Sequence, residues 1–154
     1  MTIKGGRRVA MAAAGLATVA TPFVVGQTGA AAAESQAIAG GDLTFVATGG
    51  QTVTCHADLI VVHDTDDQTH PALAFNTFLS GAGPCLQDLR TTTTASYRDA
   101  DGRAQTSVVT ALETTAGRIG GAYGPTSVTT VVQYMSCDEA QSESCSLTLK
   151  ASPK

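Results

Sequence analysis

The sequence predicts an all-β domain, an immunoglobulin-like antiparallel β-sandwich of about seven strands, and three observations carry that reading. Thr, Val, Ala, Gly and Ser dominate, with recurring Thr and Val runs that suit a pleated, half-buried surface. Turn signals arrive about every ten residues. Period-two alternation is also countable, since Cys145, Leu147 and Leu149 share one parity while Ser146, Thr148 and Lys150 share the other.

Strands are expected near 42–48, 51–63, 72–80, 87–98, 103–113, 126–136 and 145–150. The first and sixth follow from Thr/Val-rich composition. In the second, Cys55, Ala57, Leu59 and Val61 share a face, and in the third Leu73, Phe75 and Leu79 do. In the fourth, Leu89, Ala95 and Tyr97 oppose Arg90, Thr92, Thr94, Ser96 and Arg98, which makes the run Thr91 to Thr94 a strand and not a low-complexity stalk. Arg98-Asp-Ala-Asp-Gly-Arg103 supplies the Asp and Gly of a tight turn into the fifth. The seventh is the alternating segment above.

Residues 1–33 read as a cleaved signal peptide. Lys4, Arg7 and Arg8 precede an uncharged apolar stretch from Val9 to Val25, and Pro22 and the run Ala30 to Ala33 place a cut after Ala33. The stretch is too Ala-rich and interrupted for a spanning helix. Gly6 and Val9-Ala-Met flank Arg7-Arg8 in a way that fits a twin-arginine signal poorly, so the general secretory route is expected. The first cysteine is Cys55, which disfavours a lipid anchor, and the C-terminal end shows no second apolar run. The expected product is one secreted, extracellular domain, 34–154.

All thirteen acids lie beyond the expected cut but only six of the nine bases, giving that domain a net charge of minus seven. Phosphate and anionic membranes demand clustered Lys and Arg, so neither nucleic acid nor a membrane surface is an expected partner. Four cysteines in an exported chain read as two disulfides, without the close Cys pairs of a zinc site. Of three connectivities, Cys55 with Cys85 and Cys137 with Cys145 is favoured, because the second pair brackets a short polar loop.

Val53-Thr-Cys55 leading into Asp58-Leu-Ile-Val, the turn Tyr97 to Gly102, and Ser136-Cys137 to Cys145-Ser-Leu-Thr-Leu together resemble small exported all-β proteins of actinobacteria. That resemblance implies fold and export, and no activity follows from it. Export, length and two disulfides also resemble the actinobacterial subtilisin inhibitors, with Met135-Ser-Cys137 as the imagined bait; the short acidic loop after Cys137 departs from that pattern.

Catalytic signatures are sparse. No Gly-x-Ser-x-Gly turn occurs, the cysteines are expected to be oxidised, and Gly117-Arg-Ile-Gly-Gly121 lacks the context of a phosphate loop and reads as a flexible connection. Carboxylate pairs for glycoside hydrolysis are not readable from sequence. A domain with no Trp is poorly supplied for sugar platforms.

The histidines fall at His56, His63 and His70. On one strand His56 and His63 are roughly 23 Å apart and face opposite sides, so they cannot share a metal. His63 and His70, helped by Asp64 and Asp66, would meet only in a hairpin turning tightly at Asp66-Asp67. Shifting that register by one aligns Val61 with Leu73, Leu59 with Phe75 and Cys55 with Leu79, and burial favours the shift. The expectation is therefore no metal, with His63 at the rim of the core face and His70 in a loop. Asp64-Thr-Asp66-Asp67 and Asp99-x-Asp101-Gly102 read as solvated turns and not calcium loops.

The functional expectation is a non-enzymatic, disulfide-stabilised binding module without cofactor, whose partner is an extracellular protein or surface ligand. A secreted protease inhibitor and a small secreted hydrolase are the alternatives. The loops 64–70, 81–84, 116–125 and 137–145 are the candidate contact regions.

Overall fold

A computed structural model describes residues 34–137 and 145–154. The expected signal peptide, 1–33, and the loop inside the Cys137–Cys145 bridge, 138–144, lie outside the described residues. The elements are β1 (Glu34–Val46), β2 (Thr52–Asp64), β3 (Ala72–Ser80), a single helical turn α1 (Pro84–Gln87), β4 (Leu89–Arg98), β5 (Ala104–Leu112), β6 (Ala116–Gly120), β7 (Tyr123–Tyr134) and β8 (Ser146–Ala151). They form two four-stranded antiparallel sheets, in the orders β1-β2-β3-β6 and β5-β4-β7-β8.

The alternation that identifies the strands also decides which face is buried. Along β2 the inward positions are Val53, Cys55, Ala57, Leu59, Val61 and His63. Leu89, Thr91, Thr93 and Ala95 of β4 and Val128, Thr130 and Val132 of β7 face them from the second sheet. Leu59, Leu73, Leu89, Val61, Val128 and Val132 are wholly buried, each contributing roughly 1.5 to 3 kcal/mol by leaving water. Phe45 stacks on Tyr134 at 4.2 Å between centroids, joining β1 to β7. The Thr48 hydroxyl, at 3.0 Å, and then the Thr48 N–H, at 2.9 Å, bond the Tyr134 phenol oxygen and lower its pKa.

The cysteines form Cys55–Cys85 and Cys137–Cys145, which points to an oxidising environment. Pro84 opens α1, where a missing N–H costs nothing, and that turn carries Cys85 into the core. Gly81, with φ 140°, has no room for a side chain, because a β-carbon there would lie 2.5 Å from Cys85 Sγ.

Three expectations need correction. The strand count among the described residues is eight, because Gly117-Arg-Ile-Gly-Gly121 is not a free connection: most of it is β6, paired with β3. Its glycine hides the strand signal for a packing reason, since a β-carbon on Gly117 would collide with the Phe75 ring. Strand β1 begins at Glu34 and not at 42, pairing with β2 along its whole length from Glu34 opposite Asp64. The β2–β3 register keeps the expected parity, and hence the expected buried face, but slips by two residues: Val61 lies opposite Phe75, Ala57 opposite Leu79 and His63 opposite Leu73. The expected register would have set Pro71 inside the ladder opposite His63, and proline has no N–H to give. Pairing instead starts at Ala72 opposite Asp64.

Four threonines form a closed ring in the core. Thr93 Oγ1 lies 2.6 Å from Thr115 Oγ1 and 2.8 Å from Thr130 Oγ1, and Thr77 Oγ1 is 3.3 Å from both of those. All four are at most 1% exposed. Each hydroxyl can donate once and accept once around the ring, so four polar groups are satisfied without water. The Thr77 N–H also donates to the Thr115 carbonyl at 2.8 Å. One step away the Thr91 hydroxyl donates to the Glu113 carbonyl. The crossover between β5 and β6 is thus held down between the sheets.

Candidate functional site

Two of the four segments expected to make contacts come together at one end of the molecule. The loop 65–71 follows β2, and the segment 121–125 comprises the two residues that join β6 to β7 and the first three of β7. Two hydrogen bonds bind them, the Ala122 N–H donating to the Pro71 carbonyl at 3.1 Å and the Tyr123 phenol to the Thr69 carbonyl at 3.0 Å, and a third comes from β2, where His63 Nε2–H donates to the Ala122 carbonyl at 2.8 Å. Because a carbonyl only accepts, the bond places a proton on Nε2.

Between the loops lies an open pocket of about 340 Å³ lined by His63, Thr65, Gln68, Pro71, Tyr123 and Gly124. Its volume is at the low end of small-molecule sites. A ring face, a proline, a hydroxyl and an amide make a lining suited to a small polar group or a single side chain. Gly124 precedes a cis Pro125, and a β-carbon on it would approach His63 Cε1 at 3.9 Å.

The loop is stiffened from within. Asp64 Oδ1 accepts from the Asp66 N–H at 3.1 Å, and Asp67 Oδ1 accepts from the Thr69 N–H at 2.9 Å. The Thr69 hydroxyl also donates to Asp67, and His70 Nδ1 lies 3.0 Å from Asp67 Oδ2. These bonds, the Thr69 hydroxyl first and then His70, pull the Asp67 carboxyl down to about 2. Asp64 further faces Arg118 on β6 at 3.7 Å. The residues weighed as metal ligands are therefore not brought together: His63 is buried at the pocket floor, His70 is exposed on the loop, and Asp64 and Asp66 sit in a turn. No group of three or more His, Cys, Asp or Glu side chains gathers among the described residues.

Met135, weighed as inhibitor bait, is half-exposed, and its N–H donates to the Asp88 carbonyl at 3.0 Å within a turn. Gly81 to Pro84 leads into α1, on which Cys85 makes the Cys55–Cys85 bridge.

His56 pairs with two carboxylates. On the outer face of the first sheet its Nδ1 lies 2.6 Å from Asp42 Oδ1 and its Nε2 3.3 Å from Asp58 Oδ1. Asp58 was legible, being two residues along the same strand, whereas Asp42 required the β1 register that sets it opposite His56. The Asp42 hydrogen bond, ahead of Asp58, raises the His56 pKa above 6.5. The favourable contribution is present below 6.5 and is lost as pH rises through the raised value. We expect the His56 ring protons to titrate above 6.5 by NMR and to move toward 6.5 in Asp42→Asn. The stability gap between the two proteins should narrow on going to alkaline pH; a gap that widens there would contradict this reading.

No protein-family model, curated protein or solved structure significantly matches the chain.

Proposed function

We propose that the chain is a secreted, non-enzymatic binding module, freed by cleavage after Ala33, that engages an extracellular protein or surface ligand through the loop end around His63. The observation that carries this reading is the pocket between the loop 65–71 and the segment 121–125, preorganised by two hydrogen bonds between them and a third from His63 of β2. Loops held by a rigid sandwich are where such proteins place recognition. Likeness to the immunoglobulin domain is proposed for architecture alone, as two packed antiparallel sheets, because the strand order here is not the ABED and CFG arrangement of constant domains. Cleavage after Ala33 would leave β1 intact from its first residue, Glu34.

The test is recovery of a partner from the producing organism's culture medium on immobilised protein, with Gln68→Trp as the comparison. Gln68 is exposed at the pocket mouth, so the larger side chain fills the pocket without entering the core. A stoichiometric partner retained by the wild type and lost from the variant is expected, with N-terminal sequencing of the secreted protein starting at Glu34. Equal retention by both proteins would sink the site. Stoichiometric inhibition of a serine protease, abolished by Met135→Ala, would replace this reading with the inhibitor.

A further inference from the structure

We propose that two copies of this chain associate through their β5 strands in antiparallel, two-fold pairing centred on Val108. The two β5-containing sheets would then join into one eight-stranded sheet.

The four sheet edges differ in how they are defended. An edge strand presents unpaired N–H and C=O groups, and proteins that stay monomeric place charge on such strands. Among the described strands, the edge β1 carries Glu34 and Asp42, β6 carries Arg118 and β8 carries Lys150. Strand β5, Ala-Gln-Thr-Ser-Val-Val-Thr-Ala-Leu, carries no charge and no proline over nine residues. It also exposes Val108 at 60% and Leu112 at 62% on the outer face. On a domain with an expected net charge of minus seven, this neutral edge is where two copies can approach with the least repulsion.

Backbone direction then restricts the register. The Asp99 N–H donates to the Arg103 carbonyl and the Glu113 N–H to the Leu89 carbonyl, and each of these pairs continues the β4–β5 ladder. Odd-numbered residues of β5 therefore turn their peptide groups toward β4. Alternation leaves Ala104, Thr106, Val108, Thr110 and Leu112 directing theirs outward. Only registers that match even residues with even ones let two such edges bond.

Among those registers, the one centred on Val108 overlaps the full strand. It sets Val108 against Val108 of the second copy, Thr106 against Thr110 and Ala104 against Leu112, with about ten interchain hydrogen bonds. One residue beyond each end it places Arg103 opposite Glu113 of the other copy, twice by symmetry. Both side chains are exposed. Arg103 has an exposed intrachain contact to Asp101 at 3.0 Å, the kind of surface pair that contributes little and exchanges readily. A strand that is neutral along its length and oppositely charged at its two ends is complementary to itself under a two-fold axis, which is the isologous geometry of a closed dimer.

The test is sedimentation equilibrium on the protein obtained by expressing the full chain, at about 100 μM, a concentration that populates even micromolar dimers. The wild type should sediment at twice the monomer mass. Val108→Lys, which sets two ammonium groups face to face at the axis, should be monomeric with unchanged circular dichroism. Arg103→Glu should weaken association at least tenfold, and adding Glu113→Arg to it should restore the dimer. Val108→Cys should form an interchain disulfide, because hydrogen-bonded partners sit about 5.5 Å apart, whereas Thr110→Cys should not. A monomeric wild type, a Val108→Lys dimer, or equal cross-linking of the two cysteine variants would each overturn the proposal.

Discussion

Replacing Cys55 and Cys85 together with alanine is expected to destabilise the protein by about 3 to 4 kcal/mol, the loop-closure value for a bridge of this span. The bridge joins residues 30 apart, and both cysteines are almost fully buried, one near the start of β2 and the other on α1. Removing it frees the crossing segment between β3 and β4 in the unfolded chain and leaves two shortened side chains in the core. In a domain of this size the melting temperature should fall by about 10 to 20 °C. The corresponding change at Cys137 and Cys145 closes a span of only 8 residues near the end of β7, so about 2.5 kcal/mol is expected there. Differential scanning calorimetry of the two double variants decides the order; an equal or reversed loss would show that loop span is not what governs it.

The second large effect concerns the threonine ring. Thr93→Val should cost about 1 to 3 kcal/mol, because it keeps the shape but takes away the hydroxyl that lies between Thr115 and Thr130 and leaves two buried hydroxyls short of a partner. Converting all four of Thr77, Thr93, Thr115 and Thr130 to valine should return stability to within about 1 kcal/mol of the wild type, since no orphaned hydroxyl remains. The signature is strong non-additivity in denaturant midpoints at constant slope. Additive losses across the four sites would mean that the ring is not a cooperative unit.

Legibility in the sequence divides along the reach of each interaction. Alternation in 145–150 and along β2 was readable because it depends on residues two apart. Thr91 to Thr94 could be read as strand for the same reason, but the ring was not visible, since Thr93 meets partners from β7 and the β5–β6 crossover and Thr77 of β3 closes the ring between those two. The β2–β3 parity followed from burial, while the exact pairing depended on Pro71 and the loop before it. Strand β6 was lost because glycine fits against Phe75 where a side chain would not. At the pocket, His63 was expected at the rim of the core face, but its hydrogen bond to Ala122 joins segments 59 residues apart. Asp42 reaches His56 only through a register that no local pattern encodes.

The strand order also governs how quickly the molecule can be made. The centre of the second sheet is the β4–β7 pair, and its far end brings together Leu89 and Tyr134, about 45 residues apart. The β1-β2-β3 meander and the β4–β5 hairpin close short loops and can form early. Neither acquires its opposing wall until β7 has arrived, after the chain has crossed between the sheets at β5–β6 and again at β6–β7. Non-local pairing of this kind places folding in the range of milliseconds to seconds. Through that interval the uncharged β5 edge is already in place beside β4 while the core beneath it is still open. Refolding at high protein concentration therefore has its kinetic hazard on the same nine residues through which two finished copies would pair.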